Sequence, residues 1–447
     1  VYGHAPSAIG GLSLTQFSGY NLSRTATKAF AVFGPDAVIT AAPSSGDVKW
    51  RRADLWLTDD EGYTIHEARY GAGEWQLTAN VYDQSDNIIK SWDARATAEI
   101  RQPNSAYTNI DAAATITKYN SSDIKDAAGN VVVPARTRVT DVYSPASMIA
   151  PTGSEVEEMI RKRVVTTYDE GAPTVGLSLP TKVKVTAERL NGSVVETLAT
   201  TFTGYEKLET YDPKSGWDLR QATSTTLDMN GNGTADSADI RRETRYDARG
   251  RVNEQRQPGA NTTAPGTRRT LYYTAATHPM DAACGGQPAW AGYVCTEGPA
   301  SQPAGVTLPV TRYTNYAWHG ASTTQTETSG AVTRTTTTTY DAKLRPITVA
   351  TAVSGLASSS AIPTVTTSYD NATGNVTGTS STAGSTALTY DNWGRQLTYT
   401  ITPAGGSAET TTTAYNALGH VASVTTPKSS SVYTYDGTDA NGTAEYR

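Results

Sequence analysis

The chain has 447 residues, 37% hydrophobic and 18% charged, with 25 Tyr but only 4 Phe and 4 Met. A formal net charge of −6 with scattered Lys and Arg argues against nucleic-acid or anionic-membrane binding, and no apolar stretch is long enough to span a membrane. Length alone suggests domains of roughly 150 residues, but solid cores are built from Leu, Ile, Val, Phe and Met, and here the bulky residue is Tyr. Its apolar ring and polar hydroxyl suit a thin wall with water near both faces. Thr, Val and Tyr favour strands, while 38 Gly and 21 Pro supply turns, so the predicted class is all-β.

No basic, apolar, small-residue signal peptide opens the chain at Val1, and Ala444 to Arg447 still reads as strand, so both ends are expected to lie inside a longer precursor. Residues 1–150 carry Trp50, Trp56, Trp75 and Trp92, one degenerate Tyr82-Asp83 pair, and alternating segments such as Glu74 to Tyr82 that predict strands. This divergent β-region is read as part of the wall or its entrance, with a separate β-domain as the alternative. Residues 151–447 are read as one array. At its start, Ser154 to Arg163 is taken as a short helix or linker, because Glu157 and Arg161 stand four apart, although it could run into the strand at Val164.

Degenerate Tyr-Asp pairs follow at Tyr168-Asp169 and Tyr211-Asp212. The next segment, 228–239, differs. Oxygen side chains occupy loop positions 1, 3, 5, 9 and 12 (Asp228, Asn230, Asn232, Asp236, Asp239), with Gly233 at 6 and the Thr234 carbonyl available at 7. That spacing wraps a hard cation in oxygen ligands. It resembles the dockerin-type version of the EF-hand loop, which implies Ca2+ as ligand and a short helical turn over Ile240 to Arg245. An Asn/Gly hairpin tip is the alternative.

The clearest repeats are Tyr246-Asp247-Ala-Arg-Gly250 and Tyr390-Asp391-Asn-Trp-Gly394. Tyr415-Asn416-Ala-Leu-Gly419 replaces Asp by Asn, Tyr369-Asp370-Asn-Ala-Thr-Gly374 has one extra residue, and Tyr340-Asp341 lacks the Gly; Tyr435-Asp436-Gly437 is degenerate. A Thr-rich run such as Thr335 to Thr339 precedes the pair and favours extended backbone. Asp opens a turn by accepting backbone N–H groups, and Gly takes φ > 0 without steric cost, so each unit is predicted to be a β-hairpin closed by a bulge. Between two repeats, Cys284 and Cys295 lie eleven positions apart in a Gly/Pro-rich segment. Two thiols make no zinc site without further ligands, and a disulfide is favoured over two free thiols. It would imply an oxidising, extracellular setting.

These motifs resemble the RHS/YD-repeat family of bacterial polymorphic-toxin shells, toxin-complex components and teneurins, strongly from about Tyr168 to Tyr446. The resemblance implies an array of YD-repeat hairpins in a spiralling sheet around a hollow shell, or partial cocoon. It further implies a secreted or cell-surface protein whose shell holds polypeptide cargo, such as a C-terminal toxin of the same precursor. The family's C-terminal cleavage segment has no match here, so autoproteolysis is not carried over. No catalytic pattern joins His4, His66, His278, His319 and His420, and no nucleophile elbow, phosphate loop or dinucleotide-binding motif is present. The recurring Asp residues are explained by turn formation. A non-catalytic encapsulating shell is therefore the preferred expectation. Adhesion to a cell surface or cell-wall glycan, through a groove lined by Trp50, Trp56, Trp75 or Trp92, is the alternative.

Overall fold

The computed structural model describes residues 2–435 except 10, 35–42, 45–46, 72, 103–104, 108, 358–360 and 418. Expectations for Asp436-Gly437 and for Ala444 to Arg447 lie outside the described residues. The described chain divides into two compact units, one ending at Arg241 and one beginning at Arg242. Both are built from antiparallel strands, and the fold is all-β.

The first unit opens with a five-stranded sheet in chain order: Tyr2–His4, Lys28–Phe33, Ala53–Thr58, Thr64–Gly71 and Glu74–Leu77. Alternation in Ala53–Thr58 sends Leu55 and Leu57 inward, where they join Phe17, Trp50, Leu77 and Trp92 in a packed core. The helix Ala94–Ile100 covers this core, started by Asp93, whose carboxylate accepts the Ala96 N–H at 2.7 Å. Trp50, Trp75 and Trp92 are thus 0%, 5% and 1% exposed, removing three of the four tryptophans on which a glycan groove would depend.

A second sheet in this unit runs from Ala79–Tyr82 through Ile88–Trp92, Thr115–Tyr119 and Val139–Tyr143 to Glu158–Tyr168. It continues through Pro180–Arg189 and Val194–Gly204 to Ser224–Leu227. The helix expected over Ser154 to Arg163 is not formed, since Glu158–Tyr168 is a strand. The β-branched run from Val164 to Thr167 and pairing on both edges outweigh a single i,i+4 charge pair. Arg161 lies in register opposite Glu188.

In the second unit, successive strands pair antiparallel with the next in chain order from Ile240–Tyr246, which begins at the boundary, to Ser430–Val432. Threonines meet across the ladders: Thr339 with Thr348 at 2.6 Å, Thr389 with Thr398 at 2.7 Å and Thr379 with Thr386 at 2.8 Å. Such cross-strand hydroxyl pairs hold a sheet whose faces remain partly wet. Among the described residues from 296 to 435, no hydrophobic side chain is buried. The small apolar cluster of this unit gathers Tyr273, Cys284 and Cys295 instead.

Candidate functional site

The repeat turns share one construction. At Asp247 the backbone N–H donates to the Arg251 carbonyl at 2.9 Å, and the Gly250 N–H returns to the Asp247 carbonyl at 3.0 Å. Oδ1 accepts the N–H groups of Arg249 and Arg251, and Oδ2 accepts Arg251 Nε at 2.8 Å. Gly250 sits at φ +78°, and a register shift marks the bulge at Tyr246. Asp341 and Asp391 repeat the set, with Arg345 and Arg395 as their ion-pair partners. Where Asp391 is followed by Gly394, Asp341 is followed by Leu344, which nevertheless adopts φ +68°. Asp370 makes a turn one residue longer, closed by the Gly374 N–H, and Asn416 makes the same turn as Asp391 with Gly419.

The carboxylates are held ionised by this geometry. Burial pushes the Asp247 and Asp391 carboxyls up, but their arginines and turn N–H groups outweigh it, leaving both below the usual range. At Asp341 the backbone N–H of Arg345 is the largest influence, and the result is again a lowered value.

The tyrosine of each unit has a separate role. Its hydroxyl donates to the carbonyl of the residue that opens the preceding return strand. In the second unit these pairs are Tyr272 to Val252 (2.8 Å), Tyr316 to Val294 (2.5 Å) and Tyr340 to Ser322 (3.1 Å). Tyr369 to Pro346, Tyr390 to Val376 and Tyr415 to Gln396 continue the ladder at 2.9–3.1 Å. The turn arginine then stacks on the following tyrosine: Arg251 on Tyr272 at 3.8 Å, Arg345 on Tyr369 and Arg395 on Tyr415 at 4.3 Å. Units are thereby fastened to their neighbours by a hydroxyl, joined at Tyr272, Tyr369 and Tyr415 by a cation–π contact.

This ladder also exposes repeats that spacing alone concealed. In the first unit Tyr82, Tyr119, Tyr168 and Tyr205 donate to the carbonyls of Thr64, Ile88, Val139 and Pro180. Tyr119-Asn120 is a repeat whose arginine, Arg138, stands after an insertion; the Asn120 side chain still accepts the Arg138 N–H, and Arg138 stacks on Tyr168 at 4.7 Å. Tyr168-Asp169 closes through Leu179, with the Asp169 N–H on the Leu179 carbonyl. Tyr205 occupies the position expected of Tyr211, which is 61% exposed within the connecting segment. Tyr211-Asp212 is therefore not a hairpin turn; Asp212 accepts the Glu209 N–H in a local bend. Asp59 and Asp126 form the turn without a preceding Tyr, and Ala317 forms it without a carboxylate.

The disulfide clip is one of these turns enlarged. Tyr272 ends one strand and Val294 opens the next, so 273–293 replaces an Asp-x-x-Gly turn. Cys284 and Cys295 are bonded and fully buried beneath Tyr273 and Trp290. Arg312 closes the base, pairing with Asp281 at 2.5 Å and lying 3.6 Å from the Cys295 sulfur.

The 228–239 loop brings its oxygens together through its own backbone. Asp228 accepts the N–H groups of Gly231 and Gly233, Asp239 accepts those of Met229 and Asp236, and Asn230 and Asn232 both donate to Asp236. Asn232 Oδ1 accepts the Thr234 N–H and hydroxyl, and Lys182 donates to the Gly233 carbonyl at 3.1 Å. Gly231 and Gly233 take φ +71° and +78°. The helical turn expected over Ile240 to Arg245 is replaced by the strand Ile240–Tyr246, because Arg245 pairs across the ladder with Glu254. Among the described residues no cluster of three His, Cys, Asp or Glu is arranged to hold a metal ion.

Among the described side chains, His66, His278, His319 and His420 do not converge on one site. His66 is 2% exposed, stacked on Phe17 with Nδ1 2.8 Å from the Thr78 carbonyl, and burial lowers its pKa. His278 Nδ1 accepts two N–H groups of its own loop, His319 packs on Tyr340 and His420 on Tyr435. An open cleft of about 750 Å3 in the first unit is centred on Arg24. That guanidinium binds Asp59 and Glu61 at 2.6 and 2.7 Å, contacts Asp86 and stacks on Tyr63, which leaves it committed to structure.

No protein-family model matches the sequence, and no curated protein sequence matches it. Similar solved structures include TcdB2-TccC3-Cdc42, at 15% identity and TM-score 0.35, covering 85% of this chain and 19% of that one. TcdB2-TccC3-TEV is similar at 13% identity and TM-score 0.35 over 91% of this chain and 21% of that one. A Photorhabdus luminescens Tc holotoxin pore is similar at 14% identity and TM-score 0.33, covering 90% and 19%. The chain spans about a fifth of the length of these chains.

Proposed function

We propose that the chain is a wall segment of an RHS/YD-type shell, secreted or at the cell surface, which encloses a polypeptide cargo and catalyses nothing itself. The observation that carries this reading is a long hairpin array in which the described residues from 296 to 435 bury no hydrophobic side chain. A sheet with no dry layer on either face gains little as half of a packed core and is suited to separating two aqueous spaces. The ladder of tyrosine hydroxyls, reinforced by arginines at Tyr272, Tyr369 and Tyr415, supplies cohesion that a core would otherwise provide. The carboxylates that might serve as acids or bases are occupied by turn N–H groups and arginines, which supports the non-catalytic part of the reading. The test is protease protection of a poorly folded reporter fused after Arg447. Cleavage slower than for the free reporter supports encapsulation, and equal cleavage rules it out for this chain.

We propose further that the 228–239 loop takes Ca2+, through Asp228, Asn230, Asn232, the Thr234 carbonyl, Asp236 and Asp239. Its support is the oxygen spacing together with the left-handed glycines that fold those oxygens into one loop. With three carboxylates the affinity fits millimolar calcium. Calorimetric titration should give heat that Asp228→Ala abolishes, and the absence of heat would exclude the site.

A further inference from the structure

The tips of the repeat turns in the second unit carry exposed indoles. Trp318 is 86% exposed and Trp393 81%, against a chain in which Trp50, Trp75 and Trp92 are buried. Both stand within the turn that follows a ladder tyrosine, Tyr316 and Tyr390, and so project from the same rim of the sheet. Six strand spacings of about 4.8 Å separate their turns, placing them roughly 29 Å apart along the sheet. Leu344, 41% exposed, occupies an intervening tip.

The mounting is firm. The Trp393 ring lies beside the Arg395 guanidinium at 4.8 Å, and Arg395 is itself anchored by Asp391. Trp318 meets His319 edge to face at 5.5 Å, and His319 meets Tyr340 at 5.0 Å. Folding therefore holds two large apolar groups in water on rigid hairpins, although burying them would be favourable.

The charges around them favour one kind of partner. Asp247, Asp341 and Asp391 are turned inward onto N–H groups and their own arginines, and Asp370 accepts the N–H groups of Ala372 and Thr373. Arg249 sits on the same rim without a carboxylate ion-pair partner among the described residues, and Lys343 reaches the Asn371 carbonyl, near enough to Asp370 to act on its carboxylate. The rim thus presents indoles, a leucine and cations, in a chain whose overall charge is −6. Isolated protruding indoles do not form the continuous patch that a rigid protein partner requires. They do match a fluid interface, where Trp settles at the headgroup level and cationic side chains reach phosphates.

We propose that this rim docks peripherally on a phospholipid surface, with Trp318 and Trp393 entering the headgroup layer and Arg249 and Lys343 meeting lipid phosphates. Because the whole chain is anionic, attachment depends on the indoles and acts only at contact range. The test is co-sedimentation of the chain with phosphatidylcholine vesicles and with vesicles containing phosphatidylserine, comparing the native sequence with a Trp318→Ala/Trp393→Ala variant. Both changes are at exposed tips, and an unchanged melting temperature will verify that the variant is folded. Binding to either vesicle that falls at least tenfold in the variant supports the proposal, and stronger binding to the phosphatidylserine vesicles identifies the anionic headgroup as the better source of phosphate. Absence of sedimentation, or equal sedimentation of the variant, overturns it. Association of the native chain with itself that the variant abolishes, without vesicle binding, would also overturn it and assign the rim to a second copy.

Discussion

The Tyr390 hydroxyl donates to the Val376 carbonyl at 2.9 Å, joining one hairpin to the unit before it. The hydroxyl is part-buried at this contact, so its removal should be felt locally. Tyr390→Phe is expected to cost about 1 kcal/mol, the usual net contribution of one such bond. Urea titration checks the size, and hydrogen exchange should show faster opening in Gly384–Tyr390 and its partner strand Gln396–Pro403. A change below about 0.3 kcal/mol would deny the ladder its cohesive role.

Leu344 occupies the position held by Gly250, Gly394 and Gly419 in sister turns, at φ +68°. A left-handed residue with a Cβ costs about 1–2 kcal/mol, partly offset by the greater freedom of Gly in the unfolded chain. Leu344→Gly should therefore raise the unfolding free energy measured by urea titration modestly, by up to about 1 kcal/mol. Gly394→Ala should lower it by a similar amount, since the new Cβ meets nothing closer than Asn375 Nδ2 at 3.7 Å and the cost is purely conformational. Equal stability of both variants and the parent would show that the turn backbone relaxes.

Two acid transitions are expected. Burial lowers the His66 pKa, with its contact to the Thr78 carbonyl opposing weakly. The unfolded chain then takes up the proton first, so stability is complete above the ordinary value near 6.5 and declines as pH falls below it. For Asp341 and Asp391, whose folded carboxyls lie below the ordinary value near 3.9, stability is present above that value and is lost as pH falls through the folded ones. Melting temperatures between pH 7.5 and 3 should decline in these two windows. His66→Gln should flatten the upper one while leaving the lower.

The disulfide closes a short loop, for which chain-entropy arguments give about 3 kcal/mol. Replacing Cys284 and Cys295 by Ala should release the clip first. Amide exchange should accelerate at Thr274, Gly286 and Gln287, whose N–H groups bond within it. Exchange in the strands from Ser322 onward should be little changed.

How far these features could be read from sequence depended on how local their causes are. An Asp-x-x-Gly turn is complete within five residues, so the turns at Asp247 and Asp391 were legible, as was the Asp370 turn with its one extra residue. Tyr119-Asn120 was not, because the arginine that completes it, Arg138, lies beyond an inserted hairpin. Tyr211 fits the sequence pattern because it precedes Asp, whereas a ladder tyrosine is defined by the carbonyl it reaches, and it is Tyr205 that reaches the carbonyl of Pro180. Ala317 lacked the expected carboxylate, yet the Gly320 N–H and the paired strands close the turn without it. The strand at Glu158–Tyr168 was obscured by charges at helical spacing, since its true partners, Glu188 and Asp141, lie on other strands.

Fastening through neighbours alone has a mechanical corollary. Where a dry core resists pulling as one body, hairpins tied to the adjoining unit by ladder hydrogen bonds, a tyrosine hydroxyl and, at some repeats, a guanidinium can be peeled from a free edge one after another. Drawn from its end by a translocating motor or an optical trap, the second unit would lengthen in steps. The 25 residues from Tyr390 to Ala414 would release about 85 Å of extended chain.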